Sequence, residues 1–138
     1  MKKIYNKKAR FDYDIVGTFE AGIVLSGLEI KSIRAGKVDL TGSHVKIIGG
    51  ELFWLGGIIQ VAEGDSQRSR KLLMHKTEIN KLIGKTEEKG MSLIPISLYI
   101  TRGKAKLQIG LGKGRKKHDK RKMIKKRDFE RRELKQGK

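Results

Sequence analysis

Apolar and polar residues alternate most regularly late in the chain. Ile94, Ile96, Leu98 and Ile100 interleave with Pro95, Ser97, Tyr99 and Thr101, and beyond Arg102-Gly103 the series Ala105, Leu107, Ile109 and Leu111 interleaves with Lys106, Gln108 and Gly110. A period of two predicts a β-hairpin with one apolar and one polar face. Pro95 has no N–H to give to a ladder, so its backbone is expected at an edge or a bulge. Earlier, residues 13–25 are rich in β-branched and aromatic side chains (Ile15, Val16, Thr18, Phe19, Ile23, Val24) and predict a long strand bent at Ala21-Gly22. Residues 45–47 and 51–55 flank Gly49-Gly50 and predict a second hairpin. Residues 70–75 are a further strand candidate, after a polar loop over 62–69.

Two stretches change period. Ile30 and Ile33 lie three apart, with Glu29, Lys31 and Arg34 directed elsewhere, which predicts a short helix over 27–35 closed by Gly36. Thr77 offers an N-cap to a helix with Ile79, Leu82 and Ile83 on one face and Gly90 as its stop. Gly84 weakens the interior of that helix. Short antiparallel strands, 17 glycines and interrupting helices together predict a mainly β fold, an OB-like antiparallel β-barrel with two or three short helices.

Charge divides the chain. From Lys113 onward, fourteen Lys/Arg face four Asp/Glu, whereas the preceding residues hold nineteen basic and eleven acidic side chains. The division predicts a barrel over 1–112 and a basic tail over 113–138. Good helix formers fill 122–134, and Asp128 and Arg132 make a favourable i,i+4 pair. Ile124, Phe129 and Leu134 share no stripe, however, and so few apolar groups do not offset the cost of ordering the chain. The tail is therefore expected to be disordered when free and helical against RNA. A tail that serves only solubility is the other reading. His118, Met123, Ile124 and Phe129 among the cations favour RNA, since cations position phosphates and a ring stacks on a base.

A formal charge of +18 calls for a polyanionic partner: nucleic acid, an anionic membrane or an acidic protein. No apolar run approaches the roughly 18 residues of a membrane span, and the first residues lack the apolar core of a signal peptide. Nor does the tail offer one bulky apolar side for a membrane-surface helix. With no cysteine, disulfides, thiolate nucleophiles and Cys-based zinc sites are excluded. The histidines (His44, His75, His118) match no metal or triad spacing, and residues 110–114 match no phosphate-loop pattern. The expectation is a cytoplasmic RNA-binding protein, with no enzyme activity, cofactor, metal, membrane or DNA partner.

Several segments in order resemble the SmpB family, the protein partners of transfer-messenger RNA. They are residues 6–13 (Asn-Lys-Lys-Ala-Arg-Phe-Asp-Tyr), 19–25 (Phe-Glu-Ala-Gly-Ile-Val-Leu), 29–37 (Glu-Ile-Lys-Ser-Ile-Arg-Ala-Gly-Lys), 70–75 (Arg-Lys-Leu-Leu-Met-His), 78–85 and 112–121, the last ending His-Asp-Lys-Arg. The resemblance implies an OB-like barrel that binds the tRNA-like domain of transfer-messenger RNA. It also implies a tail that occupies the small-subunit decoding centre and empty messenger channel of a stalled bacterial ribosome, so that the incomplete peptide is tagged by trans-translation. Position by position, it places RNA contacts at Asn6, Arg10, Glu20, Leu73, His75 and Lys106. In the tail it places ribosomal RNA contacts at Lys113, Arg115, Lys116, Lys117, His118, Asp119, Lys120 and Arg121, with Phe129 as an anchor. Glu20 either accepts hydrogen bonds from RNA or pairs with a neighbouring cation, and Leu73 is either RNA-facing or core. Phe11 stands where the family usually has His, and the 63–69 loop is shorter than usual. A ribosomal protein or translation-factor OB domain with a basic extension is the alternative.

Overall fold

The computed structural model describes residues 3–88 and 90–115. The expected order–disorder behaviour of the tail falls outside those residues. In chain order the elements are β1 (Ile4–Tyr5), α1 (Ala9–Asp12), β2 (Tyr13–Ile23), α2 (Gly27–Arg34), β3 (Val38–Asp39), β4 (His44–Ile48), β5 (Glu51–Leu55), β6 (Ile58–Ile59), β7 (Arg70–Leu73), α3 (Lys76–Thr86), β8 (Met91–Thr101) and β9 (Lys104–Gly114). Six strands close a ring in the order β8-β4-β5-β7-β2-β9, with β9 returning to β8, and every neighbouring pair is antiparallel. Strand β1 adds to β8, and β3–β6 form a separate ribbon. This is the predicted antiparallel barrel.

The hairpins follow from their turns. Gly49 and Gly50 take φ of 60° and 77°, and Arg102 and Gly103 take 52° and 74°. Positive φ at both central residues matches the twist of the flanking strands. The β8–β9 ladder runs from Thr101↔Lys104 at the turn to Met91↔Lys113. The inward alternation expected of β9 holds, with Ala105, Leu107, Ile109 and Leu111 all in the core around Trp54. Its ladder also continues to Gly114, two residues past Gly112, because Lys113 and Gly114 still pair with Asp14 and Tyr13.

The expected single apolar face of β8 is corrected. The register shifts between Pro95 and Ser97, the bulge that Pro95 announced. Leu93, Leu98 and Ile100 belong to the central core, whereas Ile94 and Ile96 are buried outside it. Glycines on β9 make room for this second layer. A Cβ on Gly110 would stand 2.6 Å from Cδ1 of Ile96, and one on Gly112 would stand 3.0 Å from Cδ1 of Ile15.

Three local expectations shift. The irregularity of β2 falls between Ile15 and Gly17 rather than at Ala21-Gly22, and it leaves Val16 exposed. Helix α3 starts two residues earlier than Thr77 suggested, with His75 as N-cap, and it runs through Gly84 to Thr86. Glu29 does not point to solvent. Ser26 caps α2 by accepting from the Glu29 N–H while the Glu29 carboxylate accepts from the Ser26 N–H, and that carboxylate is buried.

Candidate nucleic-acid interface

Gly22 on β2 lies between two strands, opposite Lys106 of β9 on one side and Leu73 of β7 on the other. With no side chain there, the outer wall of the barrel dips into a trough lined by Glu20, Leu73, Met74, His75, Glu78 and Lys106. Alternation along β7 sends Arg70 and Leu72 inward and Lys71 and Leu73 outward, so Leu73 is a 55% exposed wall of the trough rather than core. His75 stands exposed at the N-cap of α3, where its carbonyl accepts from the N–H groups of Glu78 and Ile79 at 2.9 and 3.0 Å. The structure thus gathers four of the six expected body contacts: Glu20, Leu73, His75 and Lys106.

Glu20 is held from two sides. Its Oε2 accepts a hydrogen bond from the Tyr99 hydroxyl, and its Oε1 lies 3.9 Å from Nζ of Lys106. Both readings of Glu20 are therefore compatible: it pairs with a cation, yet it remains 54% exposed on the trough. Burial, then the hydrogen bond to Glu20 and its charge, push the Tyr99 phenol up to about 12. The phenol therefore stays a donor across the neutral range. Nζ of Lys3 lies 4.9 Å from the centre of the Tyr99 ring. Tyr99, Gly22, Met74 and Glu78 were not singled out from the sequence. Tyr99 had a readable signal: a two-residue turn at Arg102-Gly103 sets residue 99 opposite 106.

Asn6 and Arg10 lie elsewhere. The Asn6 amide donates to the carbonyls of Pro95 at 2.9 Å and Leu40 at 3.4 Å, and its buried Oδ1 has no partner among the described residues. Those bonds bind the N-terminal segment to the barrel. Arg10 is exposed on α1, and its carbonyl accepts from Nε of Arg115 at 3.3 Å. The Arg115 N–H also donates to the Asp12 carbonyl at 2.8 Å, and its guanidinium lies 4.0 Å from Asp14. Lys113 pairs within the β2–β9 and β8–β9 ladders. Lys113 and Arg115, expected in the tail, are thus built into the body, Lys113 in the ladders and Arg115 against the Arg10 carbonyl. This root lies at the far end of the β2–β9 ribbon from the trough, roughly 25–30 Å away at about 3.3 Å per residue. Lys116, Lys117, His118, Asp119, Lys120, Arg121 and Phe129 lie outside the described residues.

Arg68, within the shortened loop, and Arg70, just after it, both reach Glu29. Arg70, fully buried, donates from Nε to Glu29 at 2.7 Å, and from its terminal nitrogens to the carbonyls of Gly57 at 3.0 Å and Ser66 at 2.8 Å. Arg68 donates to the other oxygen of Glu29. Burial opposes ionisation of Glu29. Hydrogen bonds from Arg68, the Ser26 N–H and Arg70, together with the charge of Arg70, outweigh it and lower the carboxyl to about 2. Both arginines hold the frame through Glu29, Arg70 wholly buried and Arg68 still partly exposed. Among the described residues, no three His, Asp or Glu side chains converge to hold a metal, and no helix is long and apolar enough to cross a membrane.

The fold and trough define a class: a small closed antiparallel barrel whose outer wall carries a groove of mixed charge, with one lysine, one exposed leucine and a tethered carboxylate. Comparison with known proteins gives the family. The SmpB protein family matches residues 3–138. A protein of Acaryochloris marina named SsrA-binding protein is 50% identical over 142 residues, covering 96% of this chain and 92% of its own. The Bacillus subtilis protein of the same name is 53% identical, covering 91% and 85%. A solved structure described as "tmRNA-SmpB: a journey to the center of the bacterial ribosome" superposes with a TM-score of 0.72 at 46% identity, over 83% of this chain and 85% of its own. The chain belongs to the SmpB family.

Proposed function

We propose that this chain binds transfer-messenger RNA (SsrA RNA) and acts with it on the bacterial ribosome in trans-translation, as an RNA-binding protein rather than an enzyme. It works in the cytoplasm, where stalled ribosomes are rescued and their incomplete peptides tagged. Family membership across residues 3–138 carries this reading, because the relatives are named for SsrA binding and the solved neighbour for tmRNA and the ribosome.

Within that function the trough is the contact surface for the tRNA-like domain. Lys106 neutralises a phosphate, Glu20 accepts a donor from the RNA, and Leu73 and His75 present an apolar side chain and a ring to a base or sugar. Arg10 adds a phosphate contact at the root of the tail, and Asn6 supports the N-terminal segment from which Arg10 projects. The barrel reads transfer-messenger RNA. The tail, from the Lys113–Arg115 root through Lys116, Lys117, His118, Asp119, Lys120, Arg121 and Phe129, serves the decoding centre.

Charge arithmetic tests the role of Lys106. Its side chain is 30% exposed and its ammonium only loosely paired with Glu20, so it can turn to a phosphate. Lys106→Ala is expected to weaken binding of transfer-messenger RNA about fivefold and to reduce the slope of log affinity against log salt by about one. An unchanged slope, measured by fluorescence titration at several salt concentrations, removes Lys106 from the contact surface.

A further inference from the structure

We infer that Tyr99 is a positioning residue for RNA recognition, holding the Glu20 carboxylate as an acceptor aimed into the trough. The inference rests on the reading of the trough as the transfer-messenger RNA surface.

Glu20 stands on an outer strand face and is 54% exposed, so an untethered side chain there would sample several rotamers. Tyr99, on the neighbouring hairpin, removes that freedom by donating its hydroxyl to Oε2. Oε1 is left for a ligand, with Lys106 at 3.9 Å to offset the negative charge that would repel a phosphate chain. An ionised carboxylate only accepts hydrogen bonds. The complementary group on RNA is therefore an N–H or O–H donor, a base amino group or a ribose hydroxyl beside the phosphate that Lys106 takes. Two observations separate this role from stacking. Nζ of Lys3 already sits 4.9 Å from the centre of the Tyr99 ring. Glu20 and Lys106 line the trough, and Tyr99 stands across the hairpin from Lys106 with its hydroxyl spent on Glu20, so it acts through the carboxylate it holds.

A double-mutant cycle on the full-length chain tests this, with affinity for transfer-messenger RNA and the melting temperature as readouts. Tyr99→Phe removes only the hydroxyl. It is expected to leave the melting temperature within a few degrees and to weaken binding roughly tenfold, the scale of a hydrogen bond to a charged group. In a Glu20→Gln background, whose amide no longer offers the same charged acceptor, Tyr99→Phe is expected to change affinity less than about twofold, since the two residues act as one unit. Single 2′-deoxy substitutions in the RNA then assign the donor. A position that costs wild type affinity but costs Glu20→Gln nothing identifies a ribose hydroxyl, and the lack of any such position assigns a base amino group.

Full affinity in Tyr99→Phe overturns the inference, and so does an equal loss in both backgrounds. A wild-type chain that fails to prefer transfer-messenger RNA over ordinary tRNA instead overturns the proposed function, so the two failures are distinct. Should Tyr99→Phe melt early, Glu20→Gln with the hydroxyl intact decides. Undiminished binding by that variant also overturns the inference.

Discussion

Glu29→Ala is expected to lower the stability of the barrel by about 4 kcal/mol, because it strands a fully buried arginine. Arg70 is 0% exposed, and Glu29 is its carboxylate partner. The same substitution removes the reciprocal cap of α2 and the anchor of Arg68. For a barrel of this size the melting temperature should fall by on the order of 15–20 °C. Glu29→Gln keeps an acceptor for the arginines and should lose less.

Acid should reproduce part of the effect in the unmodified chain. Glu29 ionises at about 2 in the folded state, against an ordinary value of 4.5. Its folded value is depressed, so its contribution is fully present above about pH 5 and is lost as pH falls from there toward 2. A shift of that size corresponds to roughly 3 kcal/mol. Thermal melts of wild type and Glu29→Ala between pH 7 and 3 check both statements. The gap between the two should narrow with acid, and a constant gap would contradict a charge-based role.

Gly57→Ala should be the second severe change, although it adds one methyl group. An ideal Cβ on Gly57 would stand 1.9 Å from Cζ2 and 2.2 Å from Cε2 of Trp54. The indole has nowhere to retreat: it is fully buried, its Nε1 donates to Ser43 Oγ at 2.9 Å, and Ser43 in turn donates to the Leu40 carbonyl at 2.6 Å. The guanidinium of Arg70 lies 5.2 Å from the indole ring and also donates to the Gly57 carbonyl. Relieving the clash therefore displaces Trp54 or opens the segment that Arg70 holds. Overpacking together with one lost buried hydrogen bond amounts to about 3 kcal/mol. Gly84→Ala is the internal control. That glycine is exposed on α3, a Cβ there meets nothing within 4 Å, and the change should stabilise by about 0.5–1 kcal/mol. Denaturant melts of the two variants should move in opposite directions, and a Gly57→Ala chain as stable as wild type would refute the packing argument.

The barrel was largely legible because its strands announce themselves locally. Alternation marked β9, paired turn residues marked both hairpins, and Pro95 marked a bulge. The facing of Ile94 and Ile96 was not legible, because one extra residue in a ladder reverses every side chain beyond it, and that shift depends on the partner strand. Glu29 misled for a similar reason. On its own helix it sits with Lys31 and Arg34 like a solvated charge, and only Arg68 and Arg70, about forty residues away, make it a buried group. Of the trough, Glu20, Leu73, His75 and Lys106 came through family resemblance. Gly22, the floor, needed the pairing of three strands, which no local pattern encodes. Tyr99 was within reach, since the turn length alone sets it opposite Lys106.

The most direct test is a salt titration of the full chain against transfer-messenger RNA, ordinary tRNA and an unrelated RNA duplex. A barrel that reads the tRNA-like domain through a shaped trough should prefer transfer-messenger RNA at physiological salt, while duplex binding, driven by counterion release, falls steeply. Equal affinity for all three RNAs, lost in parallel as salt rises, would mean that the charge of the chain rather than its trough does the binding, and would contradict specific recognition.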